Sequence, residues 1–133
     1  MSVNNLYDGG QLTLHIAKAQ FRKKGSRVMG SVCPVVYFDY NGKEHFSESP
    51  RTKGMNPEWN KQDIVLEIKD FSCASDEILF RVFDSGYTCD SPMGFASAKI
   101  SQLIINGGGQ YSFDILLGFE EVGRLVIKSK FKP

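Results

Sequence analysis

Few residues in this chain could carry catalytic chemistry, and the two histidines are the first candidates. His15 and His45 each lie in a strand-like run, away from any motif that would supply a nucleophile for a general base to activate. The sequence contains no GxSxG, HExxH, P-loop or GxGxxG pattern. The glycines at 107–109 precede a predicted strand, whereas a phosphate-binding glycine loop precedes a helix. We therefore expect a chain that is not an enzyme and takes no small-molecule substrate.

The cysteines do not point to a redox or metal site. Cys33, Cys73 and Cys89 are odd in number and far apart, so they do not form the paired framework of a disulfide-rich domain. No CxxC pair offers the spacing of a zinc site. The sequence therefore predicts three reduced thiols and no cofactor.

Charge is balanced over the whole chain but clustered locally. Lysine and arginine total 16 against 15 acids, a net charge of +1 that by itself names no partner. The stretch from Lys18 to Phe38 nevertheless contains no acid. It carries the cations Arg22, Lys23, Lys24 and Arg27, with the apolar residues Val28, Met29 and Val32 among them. Such a segment suits an anionic surface, whereas nucleic acid is not expected because no platform of exposed aromatics accompanies the basic residues.

Targeting signals are not evident in the sequence. No apolar run approaches the ~18 residues that a transmembrane helix needs. The stretch from Met1 to Gly10 is polar and lacks the apolar centre of a signal peptide. We expect the chain in the cytoplasm or peripherally on the cytosolic face of a membrane.

The elements that must position these residues are β-strands. Leu12, Leu14 and Ile16 alternate with polar or small residues, the period of a half-buried strand, and Asn41-Gly42 is the strongest hairpin signal. About eight short strands follow from such patterns, with a single helical turn near 101–105. The pattern predicts an all-β chain, an eight-stranded antiparallel β-sandwich, with a closed barrel as the second choice. Residues 1–9 are expected to be a tail and residues 10–133 a single domain.

Five segments, taken in order, resemble the C2 domain family. The most specific is Asn56-Pro57-Glu58-Trp59-Asn60, whose single tryptophan we expect to be buried at one end of the sandwich. The other four are Gly10–Phe21, Cys33-Pro34-Val35-Val36, the strand Leu79–Asp84 followed by Met93-Gly94, and Gly123–Ile127. The resemblance implies a C2-like sandwich of the permuted type II arrangement. It also implies a module that docks onto a membrane or a protein.

The resemblance implies a calcium site whose ligands are largely missing here. Two family aspartates correspond to Arg27 and Cys33, a cation and a soft thiol that do not suit a hard cation. In the second loop Asp84 matches the family aspartate, Gly86 replaces the next one, and the third falls near Asp90. We predict no calcium binding at physiological concentrations and no metal site, with Asp84 and Asp90 as residual weak candidates.

In the family these two loops share one tip of the sandwich. A cationic tip with apolar points suits an anionic phospholipid surface, and the function we expect is calcium-independent, non-enzymatic docking on such a membrane. Each basic residue contributes only about 1 kcal/mol near an anionic surface, so binding would be weak. The alternative is a protein–protein interaction scaffold with no lipid binding. The expected membrane-binding residues are Arg22, Lys23, Lys24, Arg27, Met29, Tyr87 and Met93.

A second basic group lies on the last predicted strand. Lys128, Lys130 and Lys132 share one face of that strand because alternate residues point the same way. We interpret them as an exposed polar face. The chain is expected to act as a monomeric domain or as part of a larger assembly.

Overall fold

The structure is a computed structural model and describes residues 9–22, 32–52, 54–85 and 91–133. These residues form eight strands and one short helix, α1 (Ile100–Ile104), with a turn of 3₁₀-helix at Phe71–Ser75 and another at Ile105–Gly107. The strands are β1 (Gly10–Phe21), β2 (Pro34–Tyr40), β3 (Lys43–Phe46), β4 (Ile64–Ile68), β5 (Glu77–Asp84), β6 (Ser91–Lys99), β7 (Gly108–Leu117) and β8 (Glu120–Lys132). The all-β fold class with eight antiparallel strands is confirmed.

The strands are arranged in two layers. Their hydrogen-bonded order is β3-β2-β5-β6-β7-β8-β1-β4, and every pairing is antiparallel. β6 and β7 are joined by only one residue pair, Phe95 with Leu116. The order therefore divides into the sheet β3-β2-β5-β6 and the sheet β7-β8-β1-β4, which pack face to face as a sandwich.

Alternation of apolar and polar residues explains which faces meet. In β1, Leu12, Leu14 and Ile16 are buried while their neighbours Gln11 and Thr13 are more exposed. Side chains on a strand point alternately to the two faces, so each sheet contributes its apolar face to one core. Side chains without measurable exposure come from both sheets and α1, including Leu12, Leu14, Phe38, Phe80, Ile100, Leu125 and Ile127.

The hairpin predicted at Asn41-Gly42 is present between β2 and β3. Asn41 has a φ of 52° and Gly42 a φ of 76°, and Tyr40 pairs with Lys43 across the turn. Positive φ at both central residues is the requirement of a type I′ turn, which matches the twist of the flanking strands.

The segment around Trp59 runs beside the second half of β1. The Trp59 N–H donates to the Ala17 carbonyl at 3.0 Å, and the Ala19 N–H donates to the Pro57 carbonyl at 3.0 Å. The indole is buried in the core, as the sequence predicted. This segment braces the end of β1, where the loop that begins at Arg22 leaves the sandwich.

Candidate functional site

One end of the sandwich, which we call the tip, is where β1, β5 and β7 end and β2, β6 and β8 begin. Phe21 at the end of β1 pairs with Gly123 near the start of β8. Asp84 at the end of β5 pairs with Pro34 on one side and with Ser91 on the other. The loops 22–33 and 85–90 and the turn 118–119 therefore all leave the sheets at this end.

The base of the tip is a hydrogen-bonded seam between the two loops. Asp84 is 2% exposed, and its Oδ1 accepts the Cys33 N–H at 2.9 Å. The Cys33 carbonyl in turn accepts the Ser85 N–H at 3.0 Å and the Ser85 hydroxyl at 3.1 Å. The carboxylate at the position that resembles a family calcium ligand thus holds the two loops together.

Whether the tip could bind calcium depends on how many oxygen ligands lie close together there. Calcium takes about six to eight oxygen ligands, several of them carboxylates. Within the described part of the chain, no three histidine, cysteine, aspartate or glutamate side chains group closely enough to hold a metal ion. Arg27, Gly86 and Asp90 lie outside the described residues, so the absence of calcium binding stays a prediction.

The structure describes two of the seven predicted membrane-binding residues. Arg22 lies at the tip with its side chain 64% exposed, and its Nη2 is 2.6 Å from Glu121 Oε1. Met93 was expected to be an apolar point of the tip, but it is only 8% exposed and belongs to the core. The reason is that β6 begins at Ser91 and its register with β5 shifts at Met93, between the pairs Val82–Gly94 and Phe83–Pro92, so Met93 is a strand residue that faces inward. Lys23, Lys24, Arg27, Met29 and Tyr87 lie outside the described residues.

An apolar turn at the tip was not predicted from the sequence. β7 and β8 are joined by Gly118 and Phe119, and Leu117 pairs with Glu120 across them. Phe119 is 107% exposed, while Leu116 and Leu117 are 46% and 42% exposed. A glycine followed by one residue between two strand-like runs is a hairpin signal that could have identified this turn.

The three lysines of β8 lie far from the tip. Lys128, Lys130 and Lys132 are exposed, and they pair with His15, Thr13 and Gln11 of β1. They line a shallow groove of about 650 Å³ together with Lys61 and Asp63. Burial lowers the pKa of His15 below its usual value, and the nearby Lys128 ammonium lowers it further. Lys128 lies about 16 Å along β8 from Gly123, given the rise of a strand residue.

The outer face of the other sheet carries aromatic rings and a charge cluster. Arg81 contacts Asp39 at 3.3 Å and Glu44 at 3.4 Å. The Tyr37 ring lies 6.0 Å from the Phe46 ring and 5.9 Å from the Phe83 ring. The acids of this face offset its arginine, so it does not present a cationic site.

No described helix has the length and apolar character needed to cross a bilayer.

A search of the curated proteins finds no match to the chain. The solved structures include a C2 domain of plant Extended Synaptotagmin 1, which is 18% identical with a TM-score of 0.76, over 93% of this chain and 95% of that one. A two-domain structure of Extended-Synaptotagmin 2 is 16% identical over 92% of this chain and 40% of that one, with a TM-score of 0.72. Human GIVD cytosolic phospholipase A2 is 14% identical over 96% of this chain and 17% of that one, with a TM-score of 0.69.

These likenesses agree with the sandwich described above, and at such low identity they establish the fold alone. The family is established by the sequence. The C2 domain model matches residues 10–115, which is most of the chain and includes the Asn56–Asn60 segment and the loops 22–33 and 85–90. On that match, together with the sandwich, the chain belongs to the C2 domain family.

Proposed function

We propose that this chain is a non-enzymatic module that docks through its tip onto anionic membrane surfaces without calcium. C2 domains are modules that interact with membranes or proteins. The observation that carries the proposal is the composition of the loop that leaves the tip at Arg22, which contains four cations and no acid up to Val32. Beside it, the Asp84 carboxylate is used to bond the Cys33 N–H.

The loop cations supply attraction but little affinity. A basic residue near an anionic surface contributes about 1 kcal/mol, so Arg22, Lys23, Lys24 and Arg27 together correspond to roughly millimolar binding. This attraction is screened by salt because the charges are exposed to solvent. The proposed module is therefore a weak, peripheral binder of phospholipid on the cytosolic face of a membrane, unless an apolar contact adds to it.

Charge reversal at two places on the molecule tests this proposal. We expect the wild-type chain to co-sediment with vesicles of phosphatidylcholine and phosphatidylserine, and not with phosphatidylcholine alone. The double variant Lys23→Glu, Lys24→Glu should lose most of this binding. The matched control is Lys128→Glu, Lys130→Glu, which changes the net charge equally but lies on β8 away from the tip.

Two outcomes would contradict docking through the tip. One is wild-type binding that is absent or does not respond to salt and anionic lipid. The other is an equal loss in both double variants, which would mean that overall charge and not the tip governs binding.

A second candidate function, protein–protein docking, is favoured by the outer face of β2, β3 and β5. There Phe46 is 54% exposed and Leu79 50% exposed, beside Tyr37, Phe83 and the Arg81 cluster. Aromatic and arginine side chains are enriched at the energetic centres of protein interfaces. If vesicles do not bind, a protein captured by the wild-type chain and lost in the variant Phe46→Ser, Leu79→Lys would support this function.

A further inference from the structure

The turn between β7 and β8 holds an apolar side chain in solvent. Gly118 has a φ of 65°, and Phe119 follows it in a two-residue turn closed by Leu117 and Glu120. Glycine at the first of two central positions is the requirement of a type II′ turn. Phe119 is 107% exposed, whereas the next most exposed large apolar residue among those described, Ile105, is 57% exposed.

The turn lies at the end of a long antiparallel ladder whose register shifts once, between Ile115 and Leu116. β7 and β8 are paired from Gly108 and Lys130 to Leu117 and Glu120, one of the longest ladders in the fold. Arg22 lies close to the turn and contacts β8 twice. Its side chain forms the ion pair with Glu121, and its backbone N–H donates to the Val122 carbonyl at 2.8 Å. Phe119 is therefore presented at the same end as the cationic loop by paired strands.

The surroundings of Phe119 distinguish a bilayer from a protein as its partner. Leu116 and Leu117 are adjacent strand residues, so their side chains point to opposite sides of the hairpin, and both are exposed. With Phe119 at the apex, apolar groups lie on both faces of the β7 side of the hairpin end, while its β8 side carries Glu120 and Glu121. A protein pocket would contact one side, whereas the boundary of a bilayer offers an apolar phase on every side.

We infer that the turn Leu117–Glu120 inserts Phe119 into the acyl-chain boundary of the membrane to which the tip docks. The inference rests on the proposed membrane function and assigns its apolar anchor to a turn outside the cationic loop. Amphipathic elements at an interface bury their apolar groups by roughly 5–10 Å, a depth within reach of a phenylalanine at the apex of a hairpin. Glu120 and Glu121 would stay at the level of the headgroups, where Arg22 pairs with one of them.

The size of the effect follows from the area of the side chain. Full burial of a phenylalanine corresponds to about a tenfold to hundredfold change in binding, so Phe119→Ala should weaken vesicle binding by that factor. Ile105→Ala is the matched control, since Ile105 is exposed but lies at the opposite end of the sandwich, next to Gly108 and its partner Lys130. Neither change should alter the unfolding transition, because both side chains are exposed.

Fluorescence of the variant Phe119→Trp tests insertion directly. The natural tryptophan, Trp59, is 5% exposed and serves as the internal reference. We expect the added indole to shift to shorter wavelength on anionic vesicles, and to be quenched when the acyl chains carry bromine. Wild-type emission should change little in the same titration.

The outcomes separate the inference from the function on which it rests. If the variant co-sediments with vesicles but its emission neither shifts nor is quenched, Phe119 does not insert and the inference fails while tip docking stands. If the wild-type chain does not bind anionic vesicles at all, both fail.

Discussion

The tip has two parts that differ in burial. Its base is the seam of Cys33, Asp84 and Ser85, and its rim is formed by Arg22 and Phe119. At the base, the Asp84 carboxylate is buried and accepts the Cys33 N–H, so a position that resembles a metal ligand joins two loops. At the rim, Phe119 is fully exposed and the Arg22 side chain, which pairs with Glu121, is 64% exposed, so both contribute little to the core. The difference teaches that one end of the sandwich can combine a buried carboxylate that joins loops with exposed side chains that are free of the core, and we propose that the exposed ones carry the recognition.

The largest expected effect on stability is at the base. Asp84→Ala leaves the buried Cys33 N–H without its acceptor and should lower the free energy of unfolding by about 1–3 kcal/mol, measured by urea denaturation. Asp84→Asn is the matched control because its carbonyl oxygen can still accept the N–H, and its loss should be smaller. Equal stability of wild type and Asp84→Ala would break the distinction between a structural base and a recognition rim.

The rim should show the reverse behaviour. Phe119→Ala, which we expect to weaken vesicle binding by about tenfold or more, should leave the urea midpoint unchanged because the side chain is exposed. A variant that loses stability and binding together would show that the turn supports the fold, and the comparison between base and rim would not hold.

The ion pair between Arg22 and Glu121 offers a gain-of-binding test of the rim. Glu121→Gln removes the partner of Arg22 and an acid near the membrane, so binding to anionic vesicles should strengthen by up to about fivefold. Its cost in stability should stay at about 1 kcal/mol, since the arginine of this pair is largely exposed although the Glu121 side chain is only partly so. The readout is the binding midpoint at low and at high salt, with the gain confined to low salt. Weaker binding would show that the pair holds the tip in its binding geometry.

The smallest effect concerns His15, which lies away from the tip and is faced by Lys128, Lys61 and Asp63. Because burial holds its folded-state pKa below the usual value of 6.5, the folded chain binds fewer protons than the unfolded chain as the solution is acidified towards that range. The free energy of unfolding should therefore be highest above the usual histidine pKa of 6.5 and should decrease as the pH falls below it. Burial lowers the pKa of His45 as well, which adds in the same direction.

Denaturation as a function of pH checks this prediction. His15→Gln should flatten the fall in stability below neutral pH and leave vesicle binding at neutral pH unchanged. A fall that is as steep in the variant as in the wild type would assign the pH dependence to other groups.

Local patterns predicted much of the fold. The alternation in β1 and the Asn41-Gly42 turn are signals contained in a few adjacent residues, and both are present in the structure. Strand bounds depend on partners that are distant in the sequence. β6 begins at Ser91 and β8 at Glu120, because ladder pairing with β5 and β7 extends these strands through residues whose own propensity is weak.

The same limit explains the errors at the site. Met93 was expected at the exposed tip, whereas the pairing of β6 with β5, whose register shifts at Met93, makes it a strand residue that faces the core. Phe119 was missed because the hairpin signal there is a single glycine, Gly118, and the lone aromatic residue beside it adds no periodic signal. The hydrogen bond from the Cys33 N–H to Asp84 joins residues 51 positions apart, a separation that no local pattern reveals.

The central claim is that docking does not depend on calcium. It is tested most directly by a binding isotherm of the wild-type chain on phosphatidylserine-containing vesicles, measured with excess chelator and again with excess calcium. We predict the same midpoint and the same bound fraction in both, because the Asp84 oxygen bonds the Cys33 N–H and the loop cations supply the attraction. Binding that appears only with calcium, or that strengthens by about tenfold when calcium is added, would contradict the account.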